Sequence, residues 1–281
     1  DALRVPPVTR LDERGLAHLV ASIERDVERE LYDGGVIIVA HRGEIALRQA
    51  IGYSHRETGR ETRLDDIFHI FSTTKTFTNA LVLKAFDRGL LSPITKVVDI
   101  IPEFAGSSPF ARAPKEKVSI LHLFTHRGAL AQTPWPVPPL EAGDFAETIA
   151  AICEMPLVGE PGEKVYYSPC LSHALLGEIA RRTLGEGRSF TRMLHEELLD
   201  PLGMKDTSMG MRADREDRRV PVVPRLPKGE FFSPKDITDT ADAAWEGAEM
   251  PWVGCLSTAD DIFTFTEMLR RGGEVGGERI L

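Results

Sequence analysis

Ser72 and Lys75 stand three positions apart in Phe71-Ser72-Thr73-Thr74-Lys75, where a long apolar run of helical character begins. On a helix, side chains at i and i+3 share one face, with β-carbons about 5–6 Å apart. A serine hydroxyl is a weak nucleophile until a neighbouring base takes its proton. Lysine becomes that base when burial lowers its pKa, and a helix N-terminus pushes in the same direction. The pair therefore has the chemistry of a nucleophile and its proton acceptor. The same letters also describe a capping serine beside a solvated lysine, so the surrounding elements decide between the two.

Those elements follow from periodicity. Leu16, Leu19, Val20, Ile23, Val27 and Leu31 recur at helical spacing, with acidic residues on the other face. Val36 to Ala40 and Ile45 to Tyr53 are β-rich runs joined by His41-Arg42-Gly43-Glu44, which predicts an antiparallel hairpin with a four-residue loop. Two strands alone make no stable sheet, so further strands are expected. From Ser72 onward the pattern is helical: Ser72 to Arg88 with Gly89 as a left-handed cap, Val118 to Thr125, Phe145 to Glu154, and Leu171 to Leu184. Pro134, Pro136, Pro138 and Pro139 around Trp135 exclude a regular helix there. Arg212 to Lys228, charged and proline-rich, reads as a solvated loop. A last helix runs from about Thr258 to Arg271, capped by Ser257 or Thr258 and ended by Gly272-Gly273. No internal repeat is present.

Composition excludes several classes of function. The 281 residues carry 34 Lys+Arg against 43 Asp+Glu, a net charge of −9, with 42% hydrophobic residues and a sequence pI near 5.5. That is a folded chain with ample core material and no broad phosphate-binding surface, so nucleic acid is not expected as a partner. No uncharged apolar stretch reaches the roughly 18 residues of a membrane span. Cys153, Cys170 and Cys255 are odd in number and form no Cys-x-x-Cys pair, which speaks against a disulfide framework or a cysteine zinc site. They lean toward a reducing, cytoplasmic compartment. The chain begins at Asp1, so a removed signal peptide would instead fit a periplasmic or secreted protein. His122 and His126 are spaced as zinc ligands on a helix would be, but Leu123 stands where the His-Glu-x-x-His pattern needs glutamate. Asp260-Asp261 at a helix start suits capping and dipole support rather than a metal. No metal and no organic cofactor is expected, because nucleophile and base are both side chains.

Several segments recur in a meaningful order: Ser72-Thr73-Thr74-Lys75, Val118 to Gly128, Tyr166-Tyr167-Ser168-Pro169, Leu175-Leu176-Gly177-Glu178-Ile179, Pro201-Leu202-Gly203-Met204, and Gly254 to Asp261. In this order the chain resembles the serine β-lactamase and penicillin-binding-protein superfamily, above all class C β-lactamases and the carboxylesterases and transesterases on that scaffold. The resemblance runs from the first hairpin to the last helix. It implies a β-lactamase-like fold, α/β plus all-α: an antiparallel sheet flanked by helices, with a helical domain. Residues 1–60 would form the N-terminal part of the α/β domain and residues 61–281 a mainly helical domain carrying the nucleophile. It makes Ser72 the acylated nucleophile, its N–H one oxyanion donor, and Lys75 the proton acceptor or electrostatic partner. Tyr167 matches the tyrosine of the Tyr-x-Asn motif, with Tyr166 as the neighbouring candidate.

Three departures shape the functional reading. Pro169 replaces the asparagine of Tyr-x-Asn and offers no side-chain hydrogen bond. That favours a less demanding acyl substrate, such as an ester, over a lactam. One extra residue separates Tyr167 from Leu176-Gly177 relative to the usual spacing. The third motif, a Lys-Thr-Gly, His-x-Gly or Trp-x-Gly on a strand after the last helix, has no counterpart before Leu281, so a C-terminal segment of the same polypeptide with the remaining sheet strands is expected to be missing. His126-Arg127-Gly128 precedes Tyr167 and cannot substitute. Trp135 and Trp252 are candidate walls of an acyl pocket, with Gly254 beside them. The resulting expectation is a serine hydrolase working through an acyl-enzyme, first a carboxylesterase or transesterase on a small-molecule ester, second a β-lactamase or D-amino-acid peptidase on an amide. A catalytically degenerate binding or sensor protein is the reading from another class.

Overall fold

The computed structural model describes residues 11–108, 113–225 and 232–281. Its helices are α1 (Glu13–Glu28), α2 (Thr74–Asp87), α3 (Val97–Ile100), α4 (Ile120–Phe124), α5 (Phe145–Glu154), α6 (Leu171–Thr183), α7 (Phe190–Leu194), α8 (Asp200–Leu202), α9 (Pro234–Asp242) and α10 (Ala259–Arg270). Its strands are β1 (Gly34–His41), β2 (Glu44–His55), β3 (Arg60–Glu61), β4 (Phe68–His69), β5 (Ser208–Met209), β6 (Cys255–Ser257), β7 (Glu274–Val275) and β8 (Glu278–Arg279). Strands pair in the orders β1-β2-β3, β4-β6-β5 and β7-β8, all antiparallel.

The hairpin turn is tighter than the sequence suggests. His41 already pairs with Glu44, leaving only Arg42 and Gly43 in the loop, at φ 54° and 88°. Positive φ at both positions is what a two-residue type I′ turn demands, and its twist matches that of the strands. A register shift at Val39/Ala40 absorbs the odd residue. Helix α10 packs on β1, and Arg48 of β2 reaches across to Asp260 at 2.7 and 2.5 Å. The chain's last long helix thus sits with the N-terminal hairpin, across the sequence boundary expected near residue 60. A short ribbon, β7-β8, follows α10, where no strand is expected from the sequence.

The helical part is organised by α2 and α6, which lie against each other. All ten residues from Leu171 to Ala180 are buried, so α6 is enclosed around its whole circumference, polar Ser172, His173 and Glu178 included, and forms the centre of this region. Phe77 of α2 is 0% exposed and meets Phe265 of α10 edge-on at 4.8 Å, joining the two parts of the core. Burial of such a ring contributes about 2–3 kcal/mol. Phe190 opens α7, which runs through a π-turn at His195–Leu199 into α8 and stops at Gly203, φ 69°. The three cysteines are buried and unpaired.

Candidate active site

Helix α2 begins without a side-chain cap; a 3-10 turn, Phe71–Thr73, feeds into it instead. Phe71 holds φ 43°, a left-handed conformation that costs a bulky residue about 1–2 kcal/mol. The strain is held in place on both sides. Ile70 N–H donates to the Cys255 carbonyl at 3.0 Å, Thr73 N–H donates to the Ile70 carbonyl at 3.0 Å, and the Phe71 ring stands edge-on to His69 at 4.1 Å. The consequence is that Ser72 is exposed at the tip of the turn while Thr74, Lys75, Phe77 and Thr78 are buried behind it.

A second segment is laced onto the first turns of α2. The Cys255 N–H donates to Thr74 Oγ1 at 3.0 Å, Thr78 Oγ1 donates to the Pro251 carbonyl at 2.6 Å, and Lys75 Nζ donates to the Trp252 carbonyl at 2.7 Å. Gly177 of α6 makes room for this segment: a Cβ there would sit 2.6 Å from Pro251 Cβ. Residues 251–255 therefore thread between α2 and α6 and place a carbonyl oxygen on the lysine.

Lys75 Nζ also lies 3.0 Å from Ser72 Oγ, and Ser72 Oγ lies 3.1 Å from the Tyr167 hydroxyl. Lys75 is 6% exposed and its only close polar partners among the described residues are neutral oxygens. Burial therefore pushes its pKa down to about 8, a shift only weakly opposed by the nearby Cys170 thiol. The ammonium further sits 5.7 Å from the centre of the Tyr167 ring. Two groups that exchange protons thus converge on one exposed hydroxyl, and an amine near neutrality can take the proton as the oxygen attacks a carbonyl.

The structure brings together Ser72, Lys75 and Tyr167, with Tyr167 rather than Tyr166 on the serine. The side chains of Trp252 and Trp135 and the position of Gly254 are given other surroundings. Trp252 is 1% exposed and packs in the core near Phe145, ring centres 6.4 Å apart. Its side chain is core, not a pocket wall; only its carbonyl reaches the site. Trp135 is half-buried, packs against the core and pairs with the Phe232 ring at 6.0 Å. Gly254 is buried where a Cβ would meet Met250 Cβ at 2.8 Å and Met209 Sδ at 3.0 Å, which makes it a close-packing position. The His122 ring closes a capping box at Ser119, at 3.3 Å from its N–H. Asp260 pairs with Arg48, and Asp261 accepts from Asp206 N–H and Thr207 Oγ1, both as structural ties. Thr74, Thr78 and the Trp252 carbonyl escaped the sequence reading. Two buried hydroxyls one turn apart beside the lysine are the only sequence sign of them.

A model of the Beta-lactamase family matches residues 20–281. The chain belongs to that family. Within it, the chain is 29% identical to Protein Rv1367c of Mycobacterium tuberculosis, over 93% of this chain and 68% of the relative. It is 28% identical to Esterase EstB of Burkholderia gladioli, over 94% of this chain and 73% of the relative. Among solved structures, a penicillin-binding-protein homologue from Caulobacter crescentus has a TM-score of 0.77 at 24% identity, covering 96% of this chain and 73% of that one. EstCE1, described as a hydrolase with promiscuous acyltransferase activity, has a TM-score of 0.75 at 20% identity, covering 93% and 74%. These structures share the fold. As a member of the β-lactamase family with esterase relatives, the protein is a serine hydrolase.

Proposed function

We propose that the protein hydrolyses or transfers the acyl group of small carboxylic esters, with Ser72 as nucleophile. The observation that carries this reading is the contact of one exposed hydroxyl, Ser72 Oγ, with Lys75 Nζ at 3.0 Å and the Tyr167 hydroxyl at 3.1 Å. In the acylation step Ser72 Oγ forms a bond to the ester carbonyl carbon as its proton passes to Lys75, directly or through Tyr167. The Ser72 N–H, which no described carbonyl accepts, supports the oxyanion. The carbonyl re-forms, the C–O bond to the alcohol breaks, and Tyr167, recharged by Lys75, protonates the leaving alkoxide. Water then repeats the sequence in reverse roles to release the acid, or a second alcohol releases a new ester.

The ester preference over a lactam or peptide rests on Pro169. It stands two residues past Tyr167 and is buried, where an asparagine would offer its amide to the amide of a substrate. An ester makes no such demand. The relative EstB, named an esterase, supports the same choice.

The test is labelling with a fluorophosphonate probe, read by intact mass, together with turnover of p-nitrophenyl acetate and butyrate, a chromogenic cephalosporin, and a peptide ending in D-Ala-D-Ala. One adduct that disappears in Ser72→Ala, with ester turnover exceeding that of the cephalosporin and peptide, is the expected result. Labelling with faster cephalosporin or peptide turnover assigns the protein to lactam or peptide chemistry. No adduct and no turnover moves it to the class of proteins that bind acyl compounds without processing them.

A further inference from the structure

Tyr167 lies on an irregular segment, half exposed, with no helix or strand of its own to fix it. Yet its hydroxyl must stay within hydrogen-bonding reach of Ser72. Ser168 Oγ ties the segment to α6 by accepting the Leu171 N–H at 3.1 Å, and His126 holds it on both sides of Tyr167. The His126 carbonyl accepts the Tyr166 N–H at 2.8 Å, and His126 Nδ1 accepts the Ser168 N–H at 3.3 Å. The backbone N–H groups of both residues beside Tyr167 are thus bound to the same histidine. Its ring also lies against the Tyr167 ring, centres 4.8 Å apart at 53°. An imidazole whose Nδ1 accepts a backbone proton is neutral, with its own proton on Nε2. Burial, and then the charge of Lys75, both hold the His126 pKa below its ordinary value and so preserve that state.

His126 is itself placed. Its backbone is left-handed, φ 52°, which turns the chain out of the α4 end toward the site. Its ring also meets His173 of α6, centres 5.5 Å apart. His173 is 3% exposed, and its Nε2 bonds Asn79 Oδ1 at 3.1 Å. Asn79 lies one helical turn beyond Lys75 on α2. The contacts close on themselves: from α2 through Asn79 to His173, to His126, to Tyr167, and back to Ser72 on the turn that feeds into α2. Each member is fixed by the two beside it, so the separation of the tyrosine and serine hydroxyls is set by the packing of α2 on α6.

We infer that His126 is a positioning residue for Tyr167, acting through its Nδ1 and its carbonyl on the backbone on either side of that tyrosine. The inference rests on the proposed role of Tyr167 in proton transfer. It distinguishes His126 from a residue that merely stabilises the fold, because its loss is felt at the hydroxyl and nowhere else in the reaction.

The test uses p-nitrophenyl butyrate kinetics, fluorophosphonate labelling and thermal melting on His126→Asn, His126→Phe and His126→Ala, each with and without Tyr167→Phe. Asparagine tolerates a left-handed backbone and carries an acceptor oxygen at the place of Nδ1, whereas phenylalanine keeps the ring and loses the acceptor. His126→Phe and His126→Ala are expected to lower kcat by about tenfold to a hundredfold with KM within about twofold. His126→Asn should keep kcat within about threefold of the unaltered protein. In the Tyr167→Phe background the Phe and Ala changes should cost no more than about twofold further, since the group they misplace is already gone. Equal kcat in His126→Phe and the unaltered protein overturns the inference. So does an undiminished loss in the Tyr167→Phe background, and so does failure of both Phe and Ala proteins to fold, which would assign His126 to the fold. Absence of labelling in the unaltered protein would instead count against the proposed hydrolase chemistry itself.

Discussion

Helix α2 buries a lysine near each end, and the two have opposite surroundings. At the N-terminal end Lys75 is 6% exposed and faces the Ser72 hydroxyl and the Trp252 carbonyl, neutral oxygens that bring no counter-charge. At the C-terminal end the Lys84 side chain is 16% exposed and lies 3.2 Å from Glu197 Oε2, while its Nζ also donates to the Glu197 carbonyl at 2.7 Å. Glu197 is shared with Arg88 at 2.7 Å and Arg188 at 3.0 Å. Burial would raise its carboxyl, but the bonds from Arg188, Lys84 and Arg88 outweigh that and hold it below the usual range. The same amine on the same helix is therefore a proton acceptor at one end and a tie between helices at the other. What differs is whether a carboxylate accompanies it into the interior.

The sharpest way to break this contrast is to exchange each lysine for methionine. Lys75→Met is expected to lower kcat for p-nitrophenyl butyrate by about 10²- to 10⁴-fold, the range for removal of a general base. Lys84→Met should leave kcat within about threefold, since Lys84 reaches the site only through the helix. Lys75→Arg should fail nearly as badly as Lys75→Met, because a guanidinium does not give up its proton near neutrality. Steady-state kinetics on the three proteins checks this. A Lys84→Met rate as low as that of Lys75→Met would mean that the position of α2, not the amine, is what the reaction needs.

The Ser72–Lys75 pair was legible in the sequence because i and i+3 on a helix is a local relation, fixed as soon as the helix is. Helices α1, α2, α5, α6 and α10 were legible for the same reason, and α5 begins and ends at the expected residues. The parts that escaped depend on distance or on broken periodicity. Strands β4, β5 and β6 are two or three residues long, too short to show alternation, yet their pairing carries Cys255 and the Trp252 carbonyl to α2. The run from α7 through the π-turn at His195–Leu199 to α8 keeps helical spacing at Leu194, Leu198 and Leu202, but its pieces are only 5, 5 and 3 residues long and end in Pro201 and Gly203, which mark a break rather than a helix. Helix α9 is almost wholly polar, but Ser233 and Asp236 form a capping box that marks its start. Trp252 illustrates the limit best. A tryptophan between prolines and glycines looks like a pocket wall, and nothing local reveals that α2 and α6 close over it.

A smaller effect should appear at the other end of the helix. Glu197→Gln removes the one carboxylate that three cations share, leaving Lys84 and Arg88 without it while Arg188 keeps Glu196 at 2.7 Å. A cost of about 2–3 kcal/mol is expected, below the range for a fully buried pair because the Arg88 side chain is 44% exposed. The depressed carboxyl also fixes the sign with pH: its stabilisation is fully present above the unfolded glutamate pKa and is lost as pH falls through the lower, folded value. Denaturant melts at pH 7 and below should show the difference between the two proteins shrinking in acid, with ester turnover per folded molecule little changed.

Lys75 predicts a slope of the same sign in a higher pH window. Its pKa falls from 10.5 to about 8 on folding, so between those values the unfolded chain holds more protons than the native one. Stability from this group therefore rises with pH through that window, and below about 8 the full cost of burying the ammonium is paid. Cys153 and Cys255 act the other way at higher pH, because burial pushes their thiols up to about 11 and about 12. The difference between the unaltered protein and Lys75→Met cancels these and isolates the lysine. Lys75→Met is expected to be the more stable at pH 7, by about 1 kcal/mol, with the gap closing toward pH 9. A gap that widens instead would mean that the amine is charged and well satisfied in the native state, and the contrast between the two ends of α2 would collapse.

The smallest effect tests whether pairing alone, without burial, confers the stability seen at Glu197. Arg48 and Asp260 meet in a two-pronged contact at 2.7 and 2.5 Å, as close as any pair around Glu197, and they join the hairpin to α10. Their side chains, however, are 40% and 39% exposed. Water screens both charges before they meet, and ordering the two chains consumes much of the gain, so Arg48→Ala should cost no more than about 0.5 kcal/mol. That cost should vanish in about 0.5 M salt, while the cost of Glu197→Gln should largely persist there. Were Arg48→Ala to destabilise the protein as strongly as Glu197→Gln, geometry rather than exclusion of water would govern both pairs. Burial could then no longer be the variable that separates the two lysines of α2.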